Sequence, residues 1–117
     1  MDIERIEGAF TVCKVGSVSD IPQGRYTFTA ITDEEISLVC PSENVPENTL
    51  ERSDGWRAFR VKGTLDFSLV GILAKIAGAL ADEGISLFAV STYNTDYILV
   101  SAENYERALK LAERNML

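Results

Sequence analysis

The sequence predicts an α+β fold, a split βαβ sandwich with antiparallel sheet, built from two unequal lobes of a 117-residue chain. Three observations predict it. The second half runs through strand and helix periods in the order β-α-β-β-α, which needs one further strand to complete the sandwich. The first half shows strand patterns but no long helical one. A hairpin-like segment also occurs twice, about sixty residues apart, as Ala30–Asn44 and Val90–Asn104.

Taken in order, "FTVCKV" (Phe10–Val15), "YTFTAIT" (Tyr26–Thr32) and "ISLVCP" (Ile36–Pro41) are strand candidates, rich in β-branched and aromatic residues. "GSVSDIPQG" (Gly16–Gly24) is a loop, "TDEEIS" (Thr32–Ser37) a solvated hairpin tip, and "NVPENTLERSDG" (Asn44–Gly55) holds at most a short helix. In "WRAFRVKG", Phe59 and Val61 face one way and Ala58, Arg60 and Lys62 the other, a strand with one wet face. The next segment, Thr64–Gly84, places Leu69, Ile72, Leu73, Ile76, Ala77 and Leu80 at helical spacing, with Asp66 or Ser68 to cap it and Gly84 to end it. "ISLFAVS" and "DYILVS" are strands around a polar turn. The last segment is a helix with Tyr105, Ala108, Leu109 and Ala112 as its apolar stripe and with Glu103–Arg107 and Glu106–Lys110 as i,i+4 pairs. The repeat keeps Thr32 over Thr92; matching Leu38-Val39 to Leu99-Val100 needs a one-residue shift inside the turn and a compensating one after it.

Composition narrows the function. A formal charge of −7 disfavours nucleic acid and anionic membrane, which both require a basic patch. The start, "MDIERIEGAF", is acidic and unlike a secretory leader, and Cys13 and Cys40 sit in apolar strands without a CxxC spacing, so a reducing cytosol is the expected home. The chain contains no histidine, which lowers the case for Ser/His or Cys/His hydrolysis and for zinc, and no dinucleotide or phosphate-loop motif is present. A small enzyme using Asp96 or Lys62 as base finds no second placed acid and no cofactor motif.

Two segments can hold chemistry. "LDFSLVG" (Leu65–Gly71) is where a strand meets a helix N-terminus, whose unpaired amides favour an anion; it equally reads as a cap followed by a packing glycine. In "VSTYNTDYILVS", Asp96 with Thr92 and Asn94 could take an ammonium, and Tyr93 could wall a pocket; Asp96 equally reads as a turn residue bonded to local backbone. Together the two segments suit a zwitterion.

The stretch "GTLDFSLVGILAKIAGALADEGISLFAVSTYNTDYILV" (Gly63–Val100), preceded by "TDEEISLVCP" and "GWRAFRVKG", resembles the ACT domain. It is similar, more narrowly, to small bacterial ACT proteins related to the ACT domains of the cytosolic arginine sensor CASTOR. The resemblance covers nearly all of the chain after Val12. It implies a ferredoxin-like βαββαβ ACT sandwich in tandem or dimeric units, with no catalytic machinery and no cofactor, that binds small ligands, mostly amino acids, at interfaces between units. It implies a site walled on one side by Phe67, Ser68, Leu69, Val70, Gly71 and Ile72 and on the other by Thr92, Tyr93, Asn94 and Asp96, the aspartate engaging the ligand.

Departures from that pattern are equally specific. The first lobe lacks the long helix, and its "ITDEEIS" hairpin lacks the tyrosine–asparagine pair, which puts arginine specificity in doubt. No strand follows the last helix. The expected organisation is therefore a degenerate, strand-rich N-terminal ACT-like lobe over residues 1–56 and an ACT domain over 57–117, interlocked, with Phe10–Val15 completing the second sheet. The expected function is a non-enzymatic, regulatory, cytoplasmic ligand sensor, a homodimer that binds an amino acid. The alternative is a structural or protein-interaction module with a vestigial pocket.

Overall fold

The computed structural model of the chain describes residues 2–62 and 71–115. Its elements are β1 (Ile3–Val15), β2 (Phe28–Ile31), β3 (Ile36–Pro41), β4 (Glu51–Val61), α1 (Ile72–Asp82), β5 (Phe88–Ser91), β6 (Asp96–Ser101) and α2 (Tyr105–Arg114). Single 3-10 turns lie at Val18–Asp20, Ser42–Asn44 and Ala102–Asn104. They form two compact units. A helical unit comprises Met1–Glu7 with Arg57–Leu117, and a strand unit comprises Gly8–Trp56. β1 and β4 each supply residues to both.

In the helical unit the hydrogen-bonded strand neighbours run β1-β4-β6-β5. Phe59 and Val61 of β4, Ile98 and Val100 of β6, Ile76 and Leu80 of α1, and Tyr105, Ala108, Leu109 and Ala112 of α2 form one buried cluster. Ile72 and Leu73 pack against it, so α1 buries residues at i, i+1, i+4 and i+8 while Lys75 and Asp82 stay exposed. The helix begins later than its apolar run suggests. Its N-cap is Gly71, in the left-handed conformation at φ 87°, with no side-chain cap; Asp66 and Ser68, expected as caps, and Leu69 lie outside the described residues. Its end is the expected one. Gly84 adopts φ 71° and donates to Ala81 at 3.0 Å, and Ile85 N–H returns to the Leu80 carbonyl at 2.9 Å.

Two expectations for this unit change. Ala58 is only 2 % exposed, and on the same face of β4 Arg60 donates from Nε to Glu4 at 2.6 Å and from Nη1 to the Tyr97 hydroxyl at 2.9 Å. Glu106 is favoured by Lys110 as expected, but its main partner lies outside the helix. Arg5 of β1 takes both its oxygens, at 2.7 and 2.6 Å, while Arg107 donates to the Glu83 carbonyl at 2.8 Å. Beside this pair the Arg57 and Arg5 guanidiniums lie 4.4 and 5.7 Å from the centroid of the Tyr105 ring. The Tyr105 hydroxyl donates to the Ala58 carbonyl at 2.6 Å, and burial pushes this phenol's pKa up.

In the strand unit the neighbours run β2-β3-β1-β4. Phe10–Val15 pair antiparallel with β3, from Phe10↔Pro41 to Val15↔Ile36, while Ile3–Glu7, ahead of them, belong to the helical unit. Cys13, Val15, Leu38 and Cys40 form the core, with Ile21, Ile36 and Val45 packed on it from the connecting segments. Both thiols are free; burial raises the pKa of each, that of Cys40 to about 11. The segment Glu51–Gly55, expected to hold at most a short helix, is strand. Leu50 N–H donates to the Lys14 carbonyl at 2.8 Å, and the carboxylate of Asp54 accepts from the buried Thr11 hydroxyl at 2.6 Å and from Arg52 at 2.8 Å. What disguises it is Gly55, at φ 83°; β1 holds a matching glycine, Gly8, at φ 92°.

The repeat is closer than the sequence suggests. Phe28–Ile31 and Ile36–Pro41 correspond to Phe88–Ser91 and Asp96–Ser101 at a constant spacing of sixty residues, each followed by a 3-10 turn. The registers match pair for pair, from Phe28↔Val39 and Phe88↔Leu99 to Ile31↔Ile36 and Ser91↔Asp96. No shift is needed. Leu38 matches Ile98, and Val39 matches Leu99.

Gly55→Ala is expected to destabilise the chain by about 1–2 kcal/mol in urea denaturation, because an L side chain is strained at positive φ. No described atom lies within 4 Å of a Cβ built there, so Gly55→Asn, which tolerates that conformation, should lose less. Acid should act through Glu106, whose carboxyl Arg5 holds below the usual glutamate range. That stabilisation is complete above the ordinary value of about 4.3 and is lost as pH falls through the lower folded value. Glu106→Gln should therefore flatten the acid limb of the melting-temperature profile.

Candidate functional site

The turn Thr92–Asp96 is built by its own side chains. Thr92 donates from its amide to the Thr95 carbonyl at 2.8 Å and from its hydroxyl to the same oxygen at 3.0 Å, and its hydroxyl accepts from the Thr95 amide at 3.4 Å. Threonine favours such turns because its short hydroxyl substitutes for a backbone partner. Thr32 does the same in the first hairpin, bonding the Glu35 carbonyl through its amide at 2.9 Å and accepting from the Glu34 and Glu35 amides at 3.1 and 3.2 Å. The backbone device is thus shared, and the side chains mounted on it differ.

On the second hairpin Thr92, Tyr93 and Asn94 are exposed, Tyr93 at 78 %, and Asp96 is half-buried. Asp96 Oδ1 accepts from the Ser91 hydroxyl at 2.5 Å. The two residues face each other at the first pair of the β5–β6 ladder, which is why they meet. Among the described residues Asp96 enters no ion pair; the ion pairs there are Arg5–Glu106, Arg52–Asp54 and Arg60–Glu4. Asp96 therefore keeps a carboxylate at the mouth of a buried strand, outside the ion pairs among the described residues.

The opposite wall named from the sequence is only partly in view. Phe67, Ser68, Leu69 and Val70 lie outside the described residues. Gly71 is the N-cap of α1 rather than a bare spot on its face. Its positive φ turns the chain into the helix, and no described atom lies within 4 Å of where a Cβ would stand. Among the described residues the first turn of α1 has no acidic residue and no side-chain cap, and a helix N-terminus is electropositive. Ile72 packs against the core that also contains Val61 and Ile98.

Two residues escaped the sequence reading. Ser91 lies in a segment whose pattern predicts only strand, although the hairpin ladder sets it opposite Asp96. Thr95, buried at 6 % exposure, donates its hydroxyl to the Val61 carbonyl at 2.8 Å, across 34 residues of chain. No local pattern marks such a bond. Among the described residues no cluster of histidine, cysteine or carboxylates is suited to a metal ion, and no helix is long and apolar enough to cross a membrane.

Comparison with known proteins adds three findings. A family model described as ACT domain matches residues 51–112. The protein called Putative protein CASTOR3P of Homo sapiens is 36 % identical over 97 residues, covering 77 % of this chain and 56 % of its own length. The Homo sapiens Cytosolic arginine sensor for mTORC1 subunit 1 is 38 % identical over 87 residues, 72 % of this chain and 25 % of its own length. The chain thus spans about half and about a quarter of these two relatives. Among solved structures, protein Atu0741 from Agobacterium tumefaciens superposes with a TM-score of 0.84 at 24 % identity, covering 97 % of this chain and 87 % of its own, a likeness of fold.

Removing the Thr92 hydroxyl with Thr92→Val should cost about 0.5–1 kcal/mol, the net worth of one exposed hydrogen-bonded group. Thr32→Val should cost a similar amount, since the two turns share their bonds. Urea denaturation of the two variants and of the double variant checks both values and their additivity.

Proposed function

The chain belongs to the ACT-domain family, and we propose that it is a non-enzymatic regulatory module that binds a small ligand, an amino acid, at an interface between ACT units. The observation that carries this reading is the state of Asp96: a half-buried carboxylate, oriented by Ser91 and without an ion-pair partner among the described residues. A carboxylate already oriented by a neighbour is ready to accept a charge-assisted hydrogen bond from an ammonium or guanidinium group of a ligand. The first turn of α1, without a side-chain cap among the described residues, suits the ligand's carboxylate, so the two ends of an amino acid find complementary chemistry. In this reading Phe67–Ile72 and Thr92, Tyr93, Asn94 and Asp96 contact the ligand, Tyr93 offering its ring as a wall.

Regulation then follows from linkage. A ligand bound only by one arrangement of the units stabilises that arrangement by its differential affinity. We place the module in the cytosol as a homodimer, in keeping with relatives named as cytosolic sensors. The alternative, a protein-interaction module with a vestigial pocket, is favoured by one observation. β2 ends its row of strand neighbours, carries no charged residue and leaves Ile31 59 % exposed, and such an edge invites pairing.

A thermal-shift screen with each proteinogenic L-amino acid separates the two. A ligand at a hundred times its Kd contributes about 2.7 kcal/mol, which at about 4 °C per kcal/mol raises the midpoint by roughly 10 °C. Asp96→Asn keeps the shape and the bond from Ser91 but removes the charge; it should abolish the rise while leaving the unliganded midpoint nearly unchanged. No response to any amino acid would refute the sensor and favour the interaction module.

A further inference from the structure

We infer that Thr95 is a positioning residue of this site: its hydroxyl, bonded to the last carbonyl of β4, holds the turn so that Asp96 presents its carboxylate to the ligand. The inference rests on the amino-acid-binding reading above and adds to it a residue that never touches the ligand.

Every polar group of Thr95 is committed. Its hydroxyl donates to Val61 O at 2.8 Å, its carbonyl accepts from Thr92 at 2.8 Å (amide) and 3.0 Å (hydroxyl), and its amide donates to the Thr92 hydroxyl at 3.4 Å. Its side chain is buried while Asp96, the next residue, is half-exposed. Successive side chains along a strand point to opposite faces, so holding Thr95 against β4 fixes Asp96 on the other face of β6, the one that carries Ile98 and Val100. Val61 also ties the turn to the core that Ile72 packs on, since its side chain lies in the same buried cluster.

The first hairpin is the internal control. It has the same register and the same threonine-built turn, yet the residue matching Thr95 is Glu35, exposed, and the residue matching Asp96 is Ile36. The turn therefore forms without the tether. The tether is present in the hairpin that carries the carboxylate and absent from the hairpin that lacks it. A bond dispensable for making the turn, found together with the acid, serves the placement of the acid. Affinity gained in this way is preorganisation, since the carboxylate need not be ordered when the ligand arrives.

The test is calorimetric titration of the full chain, with L-arginine as first probe and the remaining proteinogenic amino acids after it, on wild type, Thr95→Val, Thr95→Ser and Asp96→Asn. Thr95→Val should weaken binding by about five- to tenfold, the range of one well-placed hydrogen bond. Thr95→Ser, which keeps the hydroxyl, should restore wild-type affinity; a purely packing role for the threonine methyl would predict the reverse order. Thr95→Ala replaces Thr95→Val should the latter not fold. A wild type that binds, an Asp96→Asn that does not, and a Thr95→Val with unchanged Kd would overturn this inference and leave the binding reading standing. A wild type that answers to none of the amino acids would overturn both.

Discussion

The architecture depends on one constraint: β1 and β4 are each too long for a single unit and are shared between two. The helical unit takes Ile3–Glu7 as a strand, seen in the Lys62 amide donating to the Asp2 carbonyl at 2.7 Å. The strand unit takes Glu51–Trp56 in the same way, through Leu50 and Lys14. The helical unit draws its strands from two separate stretches of chain, whereas the strand unit is the single stretch between them. A unit of this size is marginal when it stands alone. Much else follows from the shared strands: the Arg5–Glu106 pair links an N-terminal strand to the last helix, and Tyr105 donates to β4 between the guanidiniums of Arg5 and Arg57.

On that frame the two hairpins show how backbone and chemistry separate. A threonine opens both turns with nearly the same bonds, and both registers agree at every pair. The β3 and β6 strands bury the same three central positions, Leu38-Val39-Cys40 and Ile98-Leu99-Val100. The side chains around the turns differ completely. Asp33, Glu34 and Glu35 make one a solvated acidic tip; Ser91, Thr95 and Asp96 make the other a held carboxylate. The fold subsidises neither outcome, because the bonds that make the turn leave the flanking side chains free to vary.

Legibility in the sequence followed the range of the interactions. α2 could be read residue by residue, since Tyr105, Ala108, Leu109 and Ala112 form a strict helical stripe and all four are buried. The start of α1 could not, because Leu69 and Val70 continue its hydrophobic run in the sequence ahead of Gly71, and the positive φ of Gly71, which marks the helix entry, leaves no trace in that pattern. The outer halves of β1 and β4 were hidden by composition. "ERIEG" and "ERSDG" look like loop, and they are strand because neighbouring strands satisfy their backbone, a tertiary effect that outweighs propensity. The repeat was misaligned by matching the Leu-Val identities of residues 38–39 and 99–100, where equal length alone gave the true correspondence. In the site, Thr92 and Asp96 were visible as a polar turn between apolar strands, whereas Thr95 was not, since its partner is a backbone carbonyl far away in sequence.

The constant spacing of the hairpins has an evolutionary consequence. A duplicated hairpin whose fold is carried by one threonine and a buried triplet can drift at its remaining positions without penalty. One copy is then free to lose its chemistry while the other sharpens it, and the silent copy persists as a ready scaffold. Exchanging a few side chains, with no insertion or deletion, is the whole mutational path between a mute repeat and a sensing one. Lineages built on this chain can accordingly change the number of sensing turns without ever rebuilding the sheet beneath them.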